Sequence, residues 1–245
     1  MKPKLKDMNK SLPLNILNFI SKILDGSIIR FKDRENAAEM LCSILKDNLT
    51  KIQSNESLIL GITRGGIILG DIISRKFGYP FHIVIPRKLA APHNRELAIG
   101  GIMKDNTIYL DTSLMKTLKI SNEYLDIEKH RKLGEIKKIE AILGKQVEGE
   151  KLKEKNIILV DDGVATGATL LVISRWIRKY EPKNLTIATP ICPHSTLSLL
   201  KKETDYVASI INPSSRNFDT VENFYQKFEQ LEIEKLNYVL KKYKL

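Results

Sequence analysis

Apolar positions along the chain change period several times, and each change marks an element. Ile16, Ile20, Ile23 and Leu24 recur at helical spacing, which predicts an amphipathic helical extension within residues 1–27. Asp33 stands where a cap belongs, ahead of a second helix with Ala37, Leu41, Ile44 and Leu45 on its inward side. The pattern then shortens. Residues 58–62 form a compact apolar run followed at once by Thr63, Arg64, Gly65 and Gly66, after which Ile68, Ile72 and Ile73 return to helical spacing. Strand, glycine turn and helix are expected there. Residues 81–85 read as a second strand, and residues 99–103 and 107–110 as a hairpin turning through Lys104, Asp105 and Asn106.

The second half repeats the alternation. Leu125, Leu133, Ile136 and Ile139 outline one long helix over residues 121–143, with Gly144 as its stop. Residues 157–160 are continuously apolar and β-branched, as in central parallel strands covered on both faces. A helix through Leu171, Trp176, Ile177 and Tyr180 follows, then a strand at 185–188, a helix at 196–202 capped by Ser195, a strand at 206–211, and a terminal helix carrying Ile233, Leu236, Leu240 and Tyr243. Strands alternating with helices through short links predict an α/β fold with an open, mainly parallel twisted sheet flanked by helices, a small hairpin/helix insertion and a C-terminal hood or helix.

Composition adds little to that frame and removes several classes. In 245 residues, 42% are apolar and 28% charged, with 13 Gly and 9 Pro, which disfavours collagen-like, low-complexity and wholly disordered chains. The net charge of +11 favours an acidic partner: nucleic acid, a membrane surface or a phosphorylated small molecule. A cation-rich composition spread evenly over the surface accounts for it equally well. Cys42 and Cys192 lie far apart and outside any zinc or CxxC spacing, so a reducing, cytoplasmic setting is expected. The first segment is interrupted by Asn15, Asn18, Ser21 and Lys22 and lacks a small-residue cleavage site, so no signal peptide is expected. No apolar run is long enough for a membrane span.

The chemistry concentrates after the 157–160 run. Asp161 and Asp162 end the strand, and Gly163, Val164, Ala165, Thr166, Gly167, Ala168 and Thr169 carry the chain into the next helix. In an open α/β sheet that edge is where ligands bind. The turn offers free amides and a helix N-terminus to a phosphate, with Thr166 and Thr169 adding hydroxyls. The carboxylates would repel a phosphate. They suit a sugar diol or a hydrated Mg²⁺.

Phosphate on one side and diol on the other describe a ribose 5-phosphate, and here the residues resemble the type I phosphoribosyltransferases. Strand, acidic pair, variable residues and Thr-Gly-x-Thr are that family's signature for phosphoribosyl pyrophosphate (PRPP), met without a gap. The resemblance implies that Asp161 and Asp162 serve the ribose and, through water, Mg²⁺, while residues 163–169 hold the 5-phosphate. Thr63, Arg64, Gly65 and Gly66 resemble the family's pyrophosphate loop, and Arg87 with Lys88 its basic pair near a mobile catalytic loop. The sequences Phe31-Lys-Asp-Arg34, Arg87-Lys-Leu89, Pro92-His-Asn94, Glu96-Leu-Ala-Ile-Gly100 and residues 218–228 are similar to one largely uncharacterised subgroup. The likeness spans roughly residues 28–240, so the domain is expected over 28–245 with a hood within 211–228.

Departures from the family pattern bear on the acceptor. Ala165 stands where oxopurine enzymes carry an Asp, and the 185–190 strand has no Lys. Phe218 and Tyr225 are candidates for stacking on a base; His93 and Glu96 are candidates for acid or base work, though a solvated loop serves as well. His82, His130 and His194 show no metal spacing. The implied activity is Mg²⁺-dependent transfer of the 5-phosphoribosyl group from PRPP to a nucleobase or related nucleophile. The alternatives are a PRPP-sensing regulator with weak nucleic-acid binding and a phosphatase or lyase of phosphorylated sugars on the same core. Specific nucleic-acid or membrane binding is not expected; the apolar terminal helices suit a homodimer.

Overall fold

The computed structural model describes residues 30–49 and 54–243, and the helix expected within residues 1–27 lies outside them. Helix α1 (Arg34–Leu49) begins where the Asp33 carboxylate accepts the Asn36 amide hydrogen at 2.9 Å, pairing a first-turn donor that has no intrahelical partner. Strand β1 (Ser57–Ile62) leads through the Thr63–Gly66 turn into helix α2 (Gly65–Phe77), and strand β2 (Phe81–Val84) follows. Next come strands β3 (Arg87–Ala91), β4 (Asn94–Ile102) and β5 (Ile108–Leu110), a short helix α3 (Thr112–Thr117) and the long helix α4 (Asn122–Leu143). The chain then alternates β6 (Asn156–Val160), α5 (Ala168–Arg178), β7 (Asn184–Ile191), α6 (His194–Leu200) and β8 (Tyr206–Ile211), and ends in α7 (Ile233–Lys241).

Five strands form one parallel sheet in the order β2-β1-β6-β7-β8. Its central strands are buried along their whole length, as a sheet covered on both faces requires. Because strand side chains alternate, Ile59, Ile158 and Val160 enter a core shared with α1, α2, α4 and α7, while Leu58, Leu60, Ile157 and Leu159 enter a second core under α5 that contains Trp176. The expected open, mainly parallel sheet flanked by helices is therefore the observed one.

The insertion is larger than expected. Strands β3, β4 and β5 form a separate antiparallel sheet, with β4 at its centre and the β4–β5 turn at Lys104, Asp105 and Asn106. The segment around Arg87 and Lys88 is a strand rather than the edge of a loop, and Glu96 lies in the strand that pairs with it. Its Leu89 is fully buried with Ile99, Ile102 and Leu125 of α4. Two further differences are local. Ser121 and Gly144 bound α4 as expected, but Ser195 falls inside α6, whose cap position is Pro193. The Leu197 amide donates to the Pro193 carbonyl at 2.8 Å, so the first turn of the helix is closed from the proline and the helix starts before the serine.

Candidate functional site

At the carboxyl ends of β6 and β7 the chain leaves a cavity of about 690 Å³, lined by the 163–170 loop, Asp161, Lys88, Glu96 and Ala98 of the hairpin, the start of α6, and residues 218–221. Along the loop, the amides of Gly163, Ala165, Thr166 and Gly167 have no hydrogen-bond partner among the described residues. The loop that carries them runs into the N-terminus of α5, where exposed donors and the helix dipole favour an anion. Gly167 adopts φ +78° there, a left-handed turn that a side chain would strain. Val164 departs from the expected role: its amide donates to the Ile191 carbonyl at 2.9 Å and its side chain is buried. The Ala168 amide approaches the Thr166 hydroxyl at 3.5 Å, and Thr196 Oγ1 donates to the Ala165 carbonyl at 2.6 Å, fixing the loop to α6.

The two carboxylates part company. Asp161 faces the cavity, and its Oδ1 accepts the Asp162 amide at 3.0 Å. Burial first, and then the neighbouring Asp162 charge, push its carboxyl well above the usual range, with the charge of Arg34 opposing. Asp162 does not line the cavity. Its Oδ2 accepts Arg34 Nε at 2.7 Å, and both side chains are little exposed, at 11% and 14%. The turn of α2 presses on the same carboxylate: a Cβ on Gly65 would lie 1.9 Å from Asp162 Oδ2, and one on Gly66 would lie 2.2 Å from the Val160 carbonyl. Glycine at both positions is what lets the two loops meet.

The 63–66 loop exposes Arg64, whose Nη1 donates to the Leu231 carbonyl at 3.3 Å. The Thr63 hydroxyl is buried without a partner among the described residues, and the Thr63–Arg64 peptide bond is cis. Arg87 lies close enough to Arg64 for the two charges to interact; burial chiefly, and then Arg64, lower its affinity for the proton, against the pull of Glu135. Strand alternation separates Arg87 from Lys88. Arg87 turns towards α4, its Nε 3.5 Å from Glu135 Oε2, whereas Lys88 turns into the cavity, its Nζ 3.4 Å from Glu96 Oε2.

The model of a phosphoribosyl transferase domain matches residues 30–225. The chain belongs to the phosphoribosyl transferase domain family. Two Mycobacterium tuberculosis proteins, provisionally named phosphoribosyl transferases, are 24% identical over 200 residues, which is 82% of this chain. The chain spans 44% of the length of those relatives. The crystal structure of TT1426 from Thermus thermophilus shares the fold, with a TM-score of 0.68 at 24% identity over 88% of this chain and 99% of that one.

Within this phosphoribosyl transferase domain, the cavity brings together Asp161, Thr166, Gly167, Thr169, Lys88 and Phe218. Arg64 and Arg87 do not line it; Arg87 meets Glu135 of α4, and Arg64 reaches the Leu231 carbonyl. Tyr225 is placed elsewhere. Its ring is 3% exposed between Phe31 and Phe228, and its hydroxyl donates to the Asp162 carbonyl at 2.6 Å, so no face is open to a base. Burial, reinforced by the charge of Asp162, pushes its phenol far above the usual range. Phe218 is only partly buried and keeps its place on the cavity wall. His93 sits exposed in the β3–β4 turn. Arg34 carries no expected role from the sequence, because its partner is 128 residues away and no local spacing signals such a pair.

Proposed function

We propose that this protein transfers the 5-phosphoribosyl group of PRPP to a nucleobase or related nucleophile, releasing pyrophosphate. The observation that carries the reading is one cavity in which unpaired loop amides at a helix N-terminus stand beside a carboxylate, Asp161, at the end of a parallel strand. The amides and the hydroxyls of Thr166 and Thr169 take the 5-phosphate, and Asp161 accepts from the ribose hydroxyls. Arg64, the 63–66 backbone and Arg87 hold the pyrophosphate; the buried, unpartnered Thr63 hydroxyl is a donor awaiting an acceptor. Lys88, on the cavity side of its strand, adds positive charge near the reacting carbon.

Mg²⁺ fits this donor set. Among the described residues no cluster of three or more His, Cys, Asp or Glu side chains is present, so these residues offer no all-protein cage. Mg²⁺ characteristically keeps several waters and binds through one or two carboxylates plus substrate oxygens, and Asp161 is the carboxylate that faces the ligand. Asp162, tied to Arg34, does not face it. When bound, the ion neutralises charge building on the departing pyrophosphate. The residues hold C1′ and the acceptor in line, and fixed donors stabilise the leaving group without reorganisation.

The test is a thermal melt with PRPP and Mg²⁺, followed by a screen of nucleobases and related amines scored by pyrophosphate release. A ligand held only by the folded state adds about 2.7 kcal/mol at a hundredfold excess over its dissociation constant. PRPP should raise the melting temperature more than ribose 5-phosphate does. No shift at millimolar PRPP would remove the proposal.

A further inference from the structure

Arg34 is anchored from three sides before it meets any carboxylate. Its Nη1 donates to the Glu229 carbonyl at 2.7 Å, its guanidinium lies 3.8 Å over the Phe228 ring centroid, and the residues just before it are zipped to the segment that carries both. That zip consists of Phe31 N donating to the Phe224 carbonyl at 2.8 Å, Gln226 N to the Phe31 carbonyl at 2.8 Å and Lys227 N to the Lys32 carbonyl at 3.0 Å. The fork therefore stands ready, and Asp162 is delivered to it.

We propose that Arg34 is a positioning residue that divides the acidic pair: it holds Asp162 out of the ligand cavity as a neutralised strut and leaves Asp161 as the single carboxylate that meets the ribose. This rests on reading the cavity as a PRPP site. Three observations support the division. The cavity is lined by Asp161 but by neither Asp162 nor Arg34. Asp162 is held at both ends, its side chain by Arg34 and its carbonyl by Tyr225. Gly65 of α2 packs directly against the carboxylate, where even a Cβ would lie 1.9 Å from Asp162 Oδ2.

The reason for such a device is electrostatic. A ribose needs an anionic acceptor for its hydroxyls, but the same molecule carries a phosphate and a pyrophosphate, and every unbalanced carboxylate nearby repels them. Two adjacent free aspartates would supply one useful charge and one harmful one. Pairing the second with a planar, always-protonated guanidinium offsets the harmful charge while the backbone stays in place.

Calorimetric titration of Mg²⁺ and PRPP, with melts of the free proteins, tests this on R34M, R34K, D162N and R34M/D162N. The expected pattern is that R34M binds PRPP at least tenfold more weakly than wild type. R34M/D162N, which removes the stranded charge, should recover most of that loss although Arg34 is still absent. D162N should bind within about threefold of wild type while melting lower. A merely structural Arg34 would lower the melting temperature of R34M and leave its affinity unchanged, which overturns the proposal. An Arg34 that contacts PRPP itself would leave the double variant as weak as R34M, which also overturns it. If R34M does not fold, R34K decides: it keeps the charge and gives up the fork, so it should melt lower yet bind within about threefold, and a tenfold loss overturns the proposal. Failure of wild type to bind PRPP would remove the reading of the site itself, a result distinct from wild-type binding with R34M unimpaired.

Discussion

Substituting Asn for Asp161 removes a charge that the fold opposes, whereas the same change at Asp162 removes one that the fold has balanced. The Asp161 carboxyl is pushed up by burial and by its neighbour, so the folded state holds its proton more tightly than the unfolded chain. Ionising it therefore costs stability as pH rises from the unfolded value through the raised folded one, and that penalty persists at neutral pH. D161N should melt at or above wild type at pH 7, and the difference should vanish on acidification below the unfolded carboxylate range. Its PRPP affinity should fall ten- to a hundredfold, because a hydrogen bond to a charged group contributes about 1.5–3 kcal/mol. D162N should be less stable by about 1–3 kcal/mol, since Arg34 is left in a little-exposed place without its counter-charge. Paired melts at two pH values separate these outcomes. The local motif at 161–169 was legible because its function is written in contiguous residues. The asymmetry within it was not, because it depends on a side chain 128 positions away.

Among the elements, the β3–β4 hairpin shows where periodicity fails as a guide. Strand β3 runs Arg87-Lys88-Leu89-Ala90-Ala91, two charges and then three residues buried in succession, so no alternation announces it. The pairing register also slips on either side of Ala90, an irregularity that hydropathy does not reveal. Helix α4 holds that irregular point. Tyr124 donates its hydroxyl to the Ala90 carbonyl at 2.8 Å, and the buried Glu128 accepts the Ala90 amide at 3.4 Å while its carboxylate is forked by Arg131 at 2.7 and 2.8 Å. Strands of the parallel sheet were legible for the opposite reason: two covered faces demand unbroken apolar runs. E128A leaves the Ala90 amide without its acceptor and Arg131 with Glu135 alone, and local opening should become easier by about 1–3 kcal/mol. Hydrogen exchange should show faster exchange through residues 87–98 with β1 and β6 unchanged. Uniform acceleration across the sheet would mean that the hairpin and the core open as one unit.

In the molecule as a whole, the parallel sheet is shared by two cores, and one buried cysteine reports on each. Cys42 lies in the core on the α1, α2 and α7 side, and Cys192 in the core beneath α5. Burial pushes the Cys42 thiol up to about 11 and the Cys192 thiol up to about 12. Only the thiolate reacts with an alkylating reagent, so at pH 8 both are protected twice over, by occlusion and by protonation. The same strands feed both cores through alternate residues, Ile59 and Ile158 to one, Leu58, Leu60, Ile157 and Leu159 to the other, so the two cores are expected to open together with the sheet. The two thiols should therefore be alkylated at rates within about threefold of each other, governed by the population of the globally open state. PRPP with Mg²⁺ at a hundredfold excess over its dissociation constant should slow both by about a hundredfold, since the ligand withdraws that population by mass action. Peptide-resolved mass spectrometry of timed iodoacetamide reactions measures each rate. A Cys42 that reacts far faster than Cys192, and that PRPP does not protect, would show that the face built by α1, α2 and α7 opens independently of the sheet edge that holds the phosphate loop.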